Sequence, residues 1–320
     1  MKLLVVIVNY RSADLTIDCL RSLLSELEQI PGTSVVITDN ASGDDSVQRL
    51  ETAVRDNAWA NRVQILPLPR NGGFAYGNNA GISPALGGEN QPQYVLLLNP
   101  DTIVQPGAIT SLLQFMDENP KAGIAGSRLE DPDGTAQSSA FRFHSITSEF
   151  ERGIRIGFIT RLLKKQIVAL PISDTPTPCG WVAGASMMIR REVFESIGLM
   201  DEKYFMYFEE VDFCLTASRA GWPCWYVPSS HVVHLVGAVS QMSDSRKHRK
   251  RRPAYWFESR RRFFVKNYGR VYTALADMAY LTAHTLHRVR WKLQGTQDTD
   301  PPKLLTDSLS HSVFLKGFST

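Results

Sequence analysis

Three stretches of this 320-residue chain place acidic or imidazole side chains where chemistry could be done. The run YVLLL ends in Asn99-Pro100-Asp101, so a carboxylate stands where a strand has to stop. Such a carboxylate can hold a hard divalent cation, and the cation can neutralise a diphosphate. The alternative is a plain turn, for which Asn, Pro and Asp are ordinary residues. Glu209-Glu210-Val211-Asp212 sets three acids beside the aromatic run Tyr204 to Phe208. Adjacent acids disfavour joint ionisation, which raises one pKa and suits general-base work. Acids that merely favour a helix N-terminus are the alternative. His231 and His234 lie in a Val-rich segment that reads as a strand, where an odd separation points them to opposite sides. At most one then enters any given site, and a lone histidine is often structural.

Weaker signals surround these. Asp39, in TDNASGDDS, could accept hydrogen bonds from a nucleobase, or the loop could simply cap the next helix. The stretch from Arg70 to Gly81, RNGGFAYGNNAG, is rich in Gly and Asn. Its backbone can approach a ligand closely and turn amides toward phosphate or sugar oxygens. It contains neither GxGxxG nor GKS/T, so no dinucleotide fingerprint and no P-loop is present. The run RKHRKRR, Arg246 to Arg252, is either a solvated loop or a surface for phosphate-bearing ligands or an anionic bilayer. Nucleic-acid stacking, through Tyr255, Trp256, Phe263 and Phe264, ranks last.

Four buried strands are expected to position these groups: Leu3–Val8, Ser34–Thr38, Arg62–Leu66 and Tyr94–Leu98. Each ends in polar residues, namely Asn9, Asp39-Asn40, Arg70-Asn71 and Asn99 with Asp101. Helical spacing of Leu15, Cys19, Leu23 and Leu27 fills the first gap, and SGDDSVQRLETAVRDNA offers a helix in the second. Alternating strand and helix predicts parallel crossovers, and in an open α/β sheet the carboxyl ends of parallel strands line the ligand crevice. Further helices are expected at Gly107 to Glu118, from Phe213 to a stop at Gly221, from Pro253 to Tyr268, and beyond Gly269. Gly126 to Pro178 carries little pattern and reads as irregular or mobile.

Bulk properties permit one large α/β domain with additions. A net charge of +3 does not by itself imply nucleic acid. Cys19, Cys179, Cys214 and Cys224 form no CxxC pair, so neither a zinc site nor a disulfide framework is suggested, and a reducing cytosol fits. The opening LLVVIV lacks the features of a signal peptide, and no apolar run is long enough to span a membrane.

Taken in order, VVIVNYRSADLTIDCLRSL, TDNASGDDS, RNGGFAYGNNAGI, LLLNPDTIV, the block from Gly180 to Trp222, and HVVHLVGAVS resemble the inverting family 2 glycosyltransferases, and within them the bacterial rhamnosyltransferase-like branch. The resemblance covers most of residues 1–240. It implies an α/β GT-A-type nucleotide-binding fold with a mainly parallel central sheet flanked by helices, plus a C-terminal helical extension. Residues 1–105 would form the nucleotide-sugar half of the catalytic domain, 106–240 the acceptor and catalytic half, and 241–320 the basic segment and extension.

For the site, the resemblance implies that Asn9, Arg11, Asp39, Asn71, Gly73, Asn78, Asn99 and Asp101 bind a nucleotide-diphosphate-sugar. Trp181, Gly184 and Glu209 would line the acceptor or sugar pocket. Asp101 and His234, the latter followed by Gly237 and Ser240, would hold a divalent cation, Mg2+ or Mn2+. Glu210 would be the catalytic base, with Asp212 in reserve. Asn99 stands at the first position of the family's DxD, Glu210 where the family has Asp, and Thr216 where Arg is frequent. The expected reaction is inverting transfer of a sugar, best L-rhamnose from dTDP-rhamnose, to a glycan or lipid-linked acceptor in cell-surface polysaccharide synthesis. A catalytically impaired nucleotide-sugar-binding subunit and a metal-dependent nucleotidyltransferase are the alternatives. The basic segment and C-terminal helix are expected at the inner face of the plasma membrane; the rival expectation is packing on the catalytic domain or on an oligomer partner.

Overall fold

Strand β1 (Leu3–Asn9) is buried along both faces, which is why it reads as a continuous apolar run rather than an alternation. It pairs in parallel with β2 (Thr33–Asp39) on one side and β4 (Tyr94–Leu98) on the other, and β2 pairs in parallel with β3 (Val63–Pro67). The registers Asn9↔Asp39 and Asp39↔Pro67 align the polar carboxyl ends at one edge of the sheet. The computed structural model describes residues 1–235, 250–295 and 300–320.

Beyond β4 the sheet changes character. Short β5 (Thr102–Val104) leads to β6 (Ile124–Glu130), and β10 (Ser186–Arg190) inserts antiparallel between β4 and β6. The long strand β11 (Cys224–His234) runs parallel to β6 and antiparallel to β5, giving the order β3-β2-β1-β4-β10-β6-β11-β5. Strand β8 (Thr177–Cys179) pairs with β11, and β7 (Ala140–Phe141) with β9 (Trp181–Val182) makes a separate two-stranded sheet. All four cysteines are free, although Cys179 and Cys224 face each other across β8 and β11 with sulfurs 3.8 Å apart.

Alternation along β1 sorts the helices. Leu3, Val5 and Ile7 join a core with side chains of α1 (Ala13–Leu27), α2 (Ser46–Asp56) and α4 (Ala108–Glu118). On the opposite face lies α3 (Gly73–Gly87), where a Cβ at Gly77 or Gly81 would come within 2.6 Å of Val8 or 2.8 Å of Val6. Part of the glycine signal in RNGGFAYGNNAG therefore serves helix-on-sheet packing. Helices α7 (Arg191–Ile197) and α8 (Glu209–Arg219) complete this first compact unit, which comprises Met1–Phe141, Pro171–Phe205 and the chain from Glu209.

The second unit comprises Arg142–Leu170, Met206–Phe208 and the described residues from Lys250 onward. Here the expectation of an irregular stretch from Gly126 to Pro178 is corrected. Besides β6 to β8 the stretch forms α5 (Ile146–Ile154), whose Ser145 and Ser148 make a capping box, and α6 (Gly157–Leu162). Helix α5 packs through Gly153 on α9 (Ala254–Gln294), so its partner lies more than 100 residues away, beyond the reach of any local pattern. Gly269, at φ 81° and ψ 178°, breaks α9 where the two expected helices meet. Two short helices, α10 (Leu304–Ser310) and α11 (Val313–Lys316), pack at its side. No described helix is long and apolar enough to cross a membrane.

A buried ion cluster ties α5 to α9. The Glu149 carboxylate accepts from Arg152 at 2.5 Å and from Arg260 at 2.7 Å, while Arg260 also donates to Asp277 at 2.5 Å. Burial pushes the Glu149 carboxyl up, but the two guanidiniums overcome it and hold the group well below the ordinary glutamate range. Burial keeps the adjacent His144 below its usual pKa. Replacing Glu149 by Gln strands Arg260 beside a single carboxylate, and breaking a buried pair costs about 3–5 kcal/mol. Urea unfolding of Glu149→Gln near neutral pH should show that loss. In the wild type the contribution is present above the unfolded glutamate pKa and lost as pH falls through the lower folded value.

Candidate active site

At the ends of β1 and β2 the polar side chains are spent on one another. Asn9 Nδ2 donates to Asp39 Oδ1 at 2.7 Å, and Asn9 Oδ1 accepts from Ser12 and Thr16. Asp39 also accepts from the Ser42 hydroxyl at 2.6 Å and the Ser42 amide at 3.0 Å. Arg11 donates its amide to Ser42 Oγ and its Nε to the Ser42 carbonyl. Asn9 is thus fully engaged inside the protein, whereas Asp39 and the exposed Arg11 keep capacity for a ligand. Arg11 and Ala41 both sit at φ 53°, a left-handed conformation that costs a non-glycine residue free energy and is found at functional sites. Ser42, which binds three of these groups, carried no sequence signal beyond its capping position.

The Gly/Asn-rich loop is clamped rather than open. Gly73 has φ +86°, and a Cβ there would lie 1.7 Å from the Phe205 carbonyl oxygen. The Phe74 amide donates to that same oxygen at 3.0 Å. Asn71 accepts from the Gly73 amide, Asn78 donates to the Phe74 carbonyl, and Asn40 donates to the Gly73 carbonyl. Asn79 fixes the segment ahead of Phe205 by bonds with Met200 and Glu202.

The end of β4 holds the cation candidates. Thr102 Oγ1 donates to the Asn99 carbonyl at 2.7 Å and closes the turn, leaving Asp101 buried at 4% exposure. The register His234↔Thr102 then brings His234 Nε2 to 3.5 Å from Asp101 Oδ1 and 3.4 Å from the Asn99 amide. The Leu235 amide donates to the Asp101 carbonyl, and Gln137 donates to the carbonyl of His234. His231 points elsewhere, its Nδ1 3.0 Å from Glu130. Gly237, Ser240 and the first four residues of the basic run lie outside the described residues.

No group of three or more His, Cys, Asp or Glu side chains gathers at a metal-binding spacing among the described residues. Asp101 and His234 make a sparse donor set, the Asn99 atom beside His234 being Nδ2, which has no lone pair for a metal. That set fits magnesium or manganese, which are commonly bound by one or two carboxylates plus phosphate oxygens and water.

The acidic block opens α8 after two residues with φ near 70°, Tyr207 and Phe208. Asp212 accepts from the Tyr204 hydroxyl at 3.2 Å, and Thr216 donates to the Asp212 carbonyl. Glu209 is buried at the helix start. At Glu210, desolvation of the carboxyl raises it to about 7 against the opposing pull of its own amide and that of Val211, and its Oε2 has no hydrogen-bond partner. Gly184 lies against it, since a Cβ built there would be 4.0 Å from Glu210 Cβ and 3.0 Å from the Phe74 ring. The carbonyl of the next residue, Ala185, accepts from the Asn99 backbone amide at 3.0 Å, which ties the segment after Gly184 to the Asp101 turn. Trp181 stacks on Phe141 at 4.0 Å.

A model of the glycosyl transferase family 2 matches residues 4–198. The N-acetylglucosaminyl-diphospho-decaprenol L-rhamnosyltransferase of Mycobacterium tuberculosis (strain ATCC 25618 / H37Rv) is 32% identical over 213 residues, 63% of this chain and 66% of that one. The dTDP-rhamnosyl transferase RfbF of Shigella flexneri is 26% identical over 222 residues, 69% and 66% of the two chains. Rhamnosyltransferase WbbL of Escherichia coli (strain K12) is 28% identical over 169 residues, 52% and 62%. The matches thus span just under two thirds of these relatives' lengths. In fold, the chain is similar to GalNAc-T7 solved with UDP, GalNAc and Mn2+, at a TM-score of 0.58 and 16% identity over 99% of this chain and 56% of that one. It is similar also to the mannosyltransferase PcManGT from Pyrobaculum calidifontis in complex with GDP-Man and Mn2+, at 0.57 and 11% over 99% and 84%.

The clamp at Gly73 carries its own test. Gly73→Ala forces a methyl into the Phe205 carbonyl at an unfavourable φ, and strain of this kind costs on the order of 1–3 kcal/mol. Thermal unfolding should register a lower midpoint, whereas an unchanged midpoint would mean the loop parts freely from Phe205.

Proposed function

The chain belongs to the family 2 glycosyltransferases, and from that premise we propose that it moves a sugar from a nucleotide-diphosphate donor to a glycan or lipid-linked acceptor with inversion, in bacterial surface-polysaccharide synthesis. L-rhamnose from dTDP-rhamnose is the sugar favoured by the names of its relatives. The observation that carries the reading is Glu210, a buried carboxyl lifted to about 7 with one oxygen unpartnered, in the same compact unit as the Asp101 and His234 turn. We assign residues 1–105 to the nucleotide-sugar half and 106–240 to the acceptor half, with Asp39 and Arg11 toward the nucleotide and Trp181 and Gly184 toward the sugar and acceptor.

In this mechanism the acceptor hydroxyl attacks the anomeric carbon from the face opposite the nucleotide diphosphate. One C–O bond forms, the bond to the diphosphate oxygen breaks, and the configuration inverts. Glu210 accepts the hydroxyl proton as the new bond forms, and a base poised near neutral pH suits that transfer. When bound, a divalent cation held by Asp101 and His234 would offset the charge gathering on the leaving diphosphate. Asn9 and Ser42 keep Asp39 oriented, while Asn40 and Asn78 keep the Gly73 loop against Phe205.

Thermal shift against nucleotide-sugars, with and without Mn2+, tests donor and cation together. The midpoint should rise most with dTDP-rhamnose, and Asp101→Ala should remove the Mn2+-dependent part. A shift independent of both Mn2+ and Asp101 would discard the cation assignment.

Glu210 yields a pH test of defined sign. Turnover should fall about tenfold per unit as pH drops below about 7, because the base is then protonated. Stability should move the opposite way. The folded group keeps a proton that the unfolded chain releases from about 4.5 upward, so stability declines as pH rises from about 4.5 to about 7. Glu210→Gln should flatten that decline, retain donor binding in calorimetry and lose turnover. Loss of donor affinity instead would make Glu210 a ligand.

A further inference from the structure

Past Gly269, helix α9 is apolar on two opposite sides. Thr273, Ala276, Tyr280 and Ala283 belong to its buried side. Val271, Leu275, Met278, Leu286, Val289 and Leu293 face solvent, with exposures from 41% to 83%. Their steps of three, four and eight residues confine them to about 80° of the helix circumference. A surface helix normally keeps its outer side polar, and a contiguous exposed apolar stripe marks a contact surface.

Helix α6 adds to this surface. Phe158 and Leu162 are 77% and 75% exposed, and Arg161, Lys164 and Lys165 beside them are exposed too. Arg290 donates to the Arg155 carbonyl at 2.8 Å, which sets the start of α6 beside the part of α9 that bears Leu286, Val289 and Leu293.

Charge selects what covers these residues. The segments Arg142–Leu170, Met206–Phe208 and Gln241–Thr320 contain 22 lysines and arginines against eight aspartates and glutamates, a net +14 in a chain whose total is +3. Two copies of so basic a surface repel each other. A nucleic acid would satisfy the charge but leave the aliphatic stripe uncovered. An anionic bilayer satisfies both, since basic side chains meet the headgroups while apolar ones enter the acyl boundary.

We propose that α6 and the outer side of α9 form an interfacial binding surface for an anionic lipid bilayer. Phe158, Leu162 and the α9 stripe enter the acyl boundary, and Arg161, Lys164 and Lys165 contact lipid phosphates. This surface stands apart from the sugar-transfer reading and is tested without a donor or an acceptor.

Sedimentation of the full chain with vesicles provides the test. Binding is expected to phosphatidylglycerol–phosphatidylcholine vesicles and much less to phosphatidylcholine alone, weakening with salt. Phe158→Ser with Leu162→Ser, and separately Leu286→Ser with Val289→Ser and Leu293→Ser, should each lower partitioning by roughly tenfold or more, from the transfer free energy of such side chains. These positions are exposed, so circular dichroism should be unchanged. Lys164→Glu with Lys165→Glu should weaken binding and flatten its salt dependence. The proposal is overturned if anionic vesicles do not bind, or if the apolar variants bind them as the wild type does. It is also overturned if those variants turn a stable dimer into monomer without altering vesicle partition, or if they abolish binding to an oligonucleotide. Donor thermal shifts retained alongside failed vesicle binding would sink this inference and leave the sugar-transfer reading standing.

Discussion

The site depends on one short antiparallel pairing, β11 against β5. Strand β5 is three residues long, yet its register sets His234 opposite Thr102 and so delivers an imidazole to the Asp101 carboxylate more than 130 residues earlier in the chain. Odd spacing along the same strand sends His231 to Glu130 instead. A register slip of one residue would exchange the two faces and leave Asp101 without its imidazole. Three features hold the register: the parallel pairing of β11 with β6, the irregularity between Val227 and His231 that lets one strand satisfy two partners, and the Leu235 amide bound to the Asp101 carbonyl.

Around that pairing, polar groups are divided between those that build and those that remain available. Asn9, Ser42 and Asn79 spend side-chain bonds on protein partners, whereas Glu210, Asn40 and Asn78 each keep a buried oxygen without one. A buried polar atom left unpaired is costly, and folded proteins keep few of them. The left-handed backbone at Arg11, Ala41, Tyr207 and Phe208 has the same flavour: strain gathers at strand ends and at the start of α8, while β1 and β4 are regular and fully packed.

How much of this the sequence discloses follows from the range of the interactions. Strands β1 to β4 were legible because a strand buried on both faces leaves an unbroken apolar run, and their polar ends marked the edge that bears Asp39 and Asp101. The strand at His231 and His234 was legible from its valines, and with it the rule that only one imidazole enters a site. Selecting His234 and Glu210 required resemblance, since nothing local separates Glu210 from Glu209 or Asp212. What separates them is what each carboxylate meets in the folded unit, where Asp212 accepts from the Tyr204 hydroxyl and Glu210 stands near Gly184. Helices α5 and α6 escaped notice because α5 owes its stability to α9 and α6 shows solvent an apolar surface that looks like no helix of an ordinary soluble domain. The glycines misled in part: Gly73 makes a close approach to Phe205, but Gly77 and Gly81 serve the sheet.

A cation held by so sparse a donor set would carry a thermodynamic consequence. Asp101 and His234 supply two donor side chains, whereas magnesium takes six ligands. Any remaining protein-independent positions fall to water or to the oxygens of a diphosphate. A cation bound by this protein alone would therefore be weakly held, and a donor lacking a cation would bring its charge next to the Asp101 carboxylate. Each then strengthens the other's binding by the same factor, because coupling between two ligands is reciprocal. An Asn in place of an acid at position 99 would act on the two separate affinities rather than on that coupling. It removes a negative charge that would otherwise hold the metal in the donor's absence, and equally one that would repel the arriving diphosphate. On this view Asn99 shifts the site from one that stores a cation toward one that accepts cation and nucleotide-sugar together.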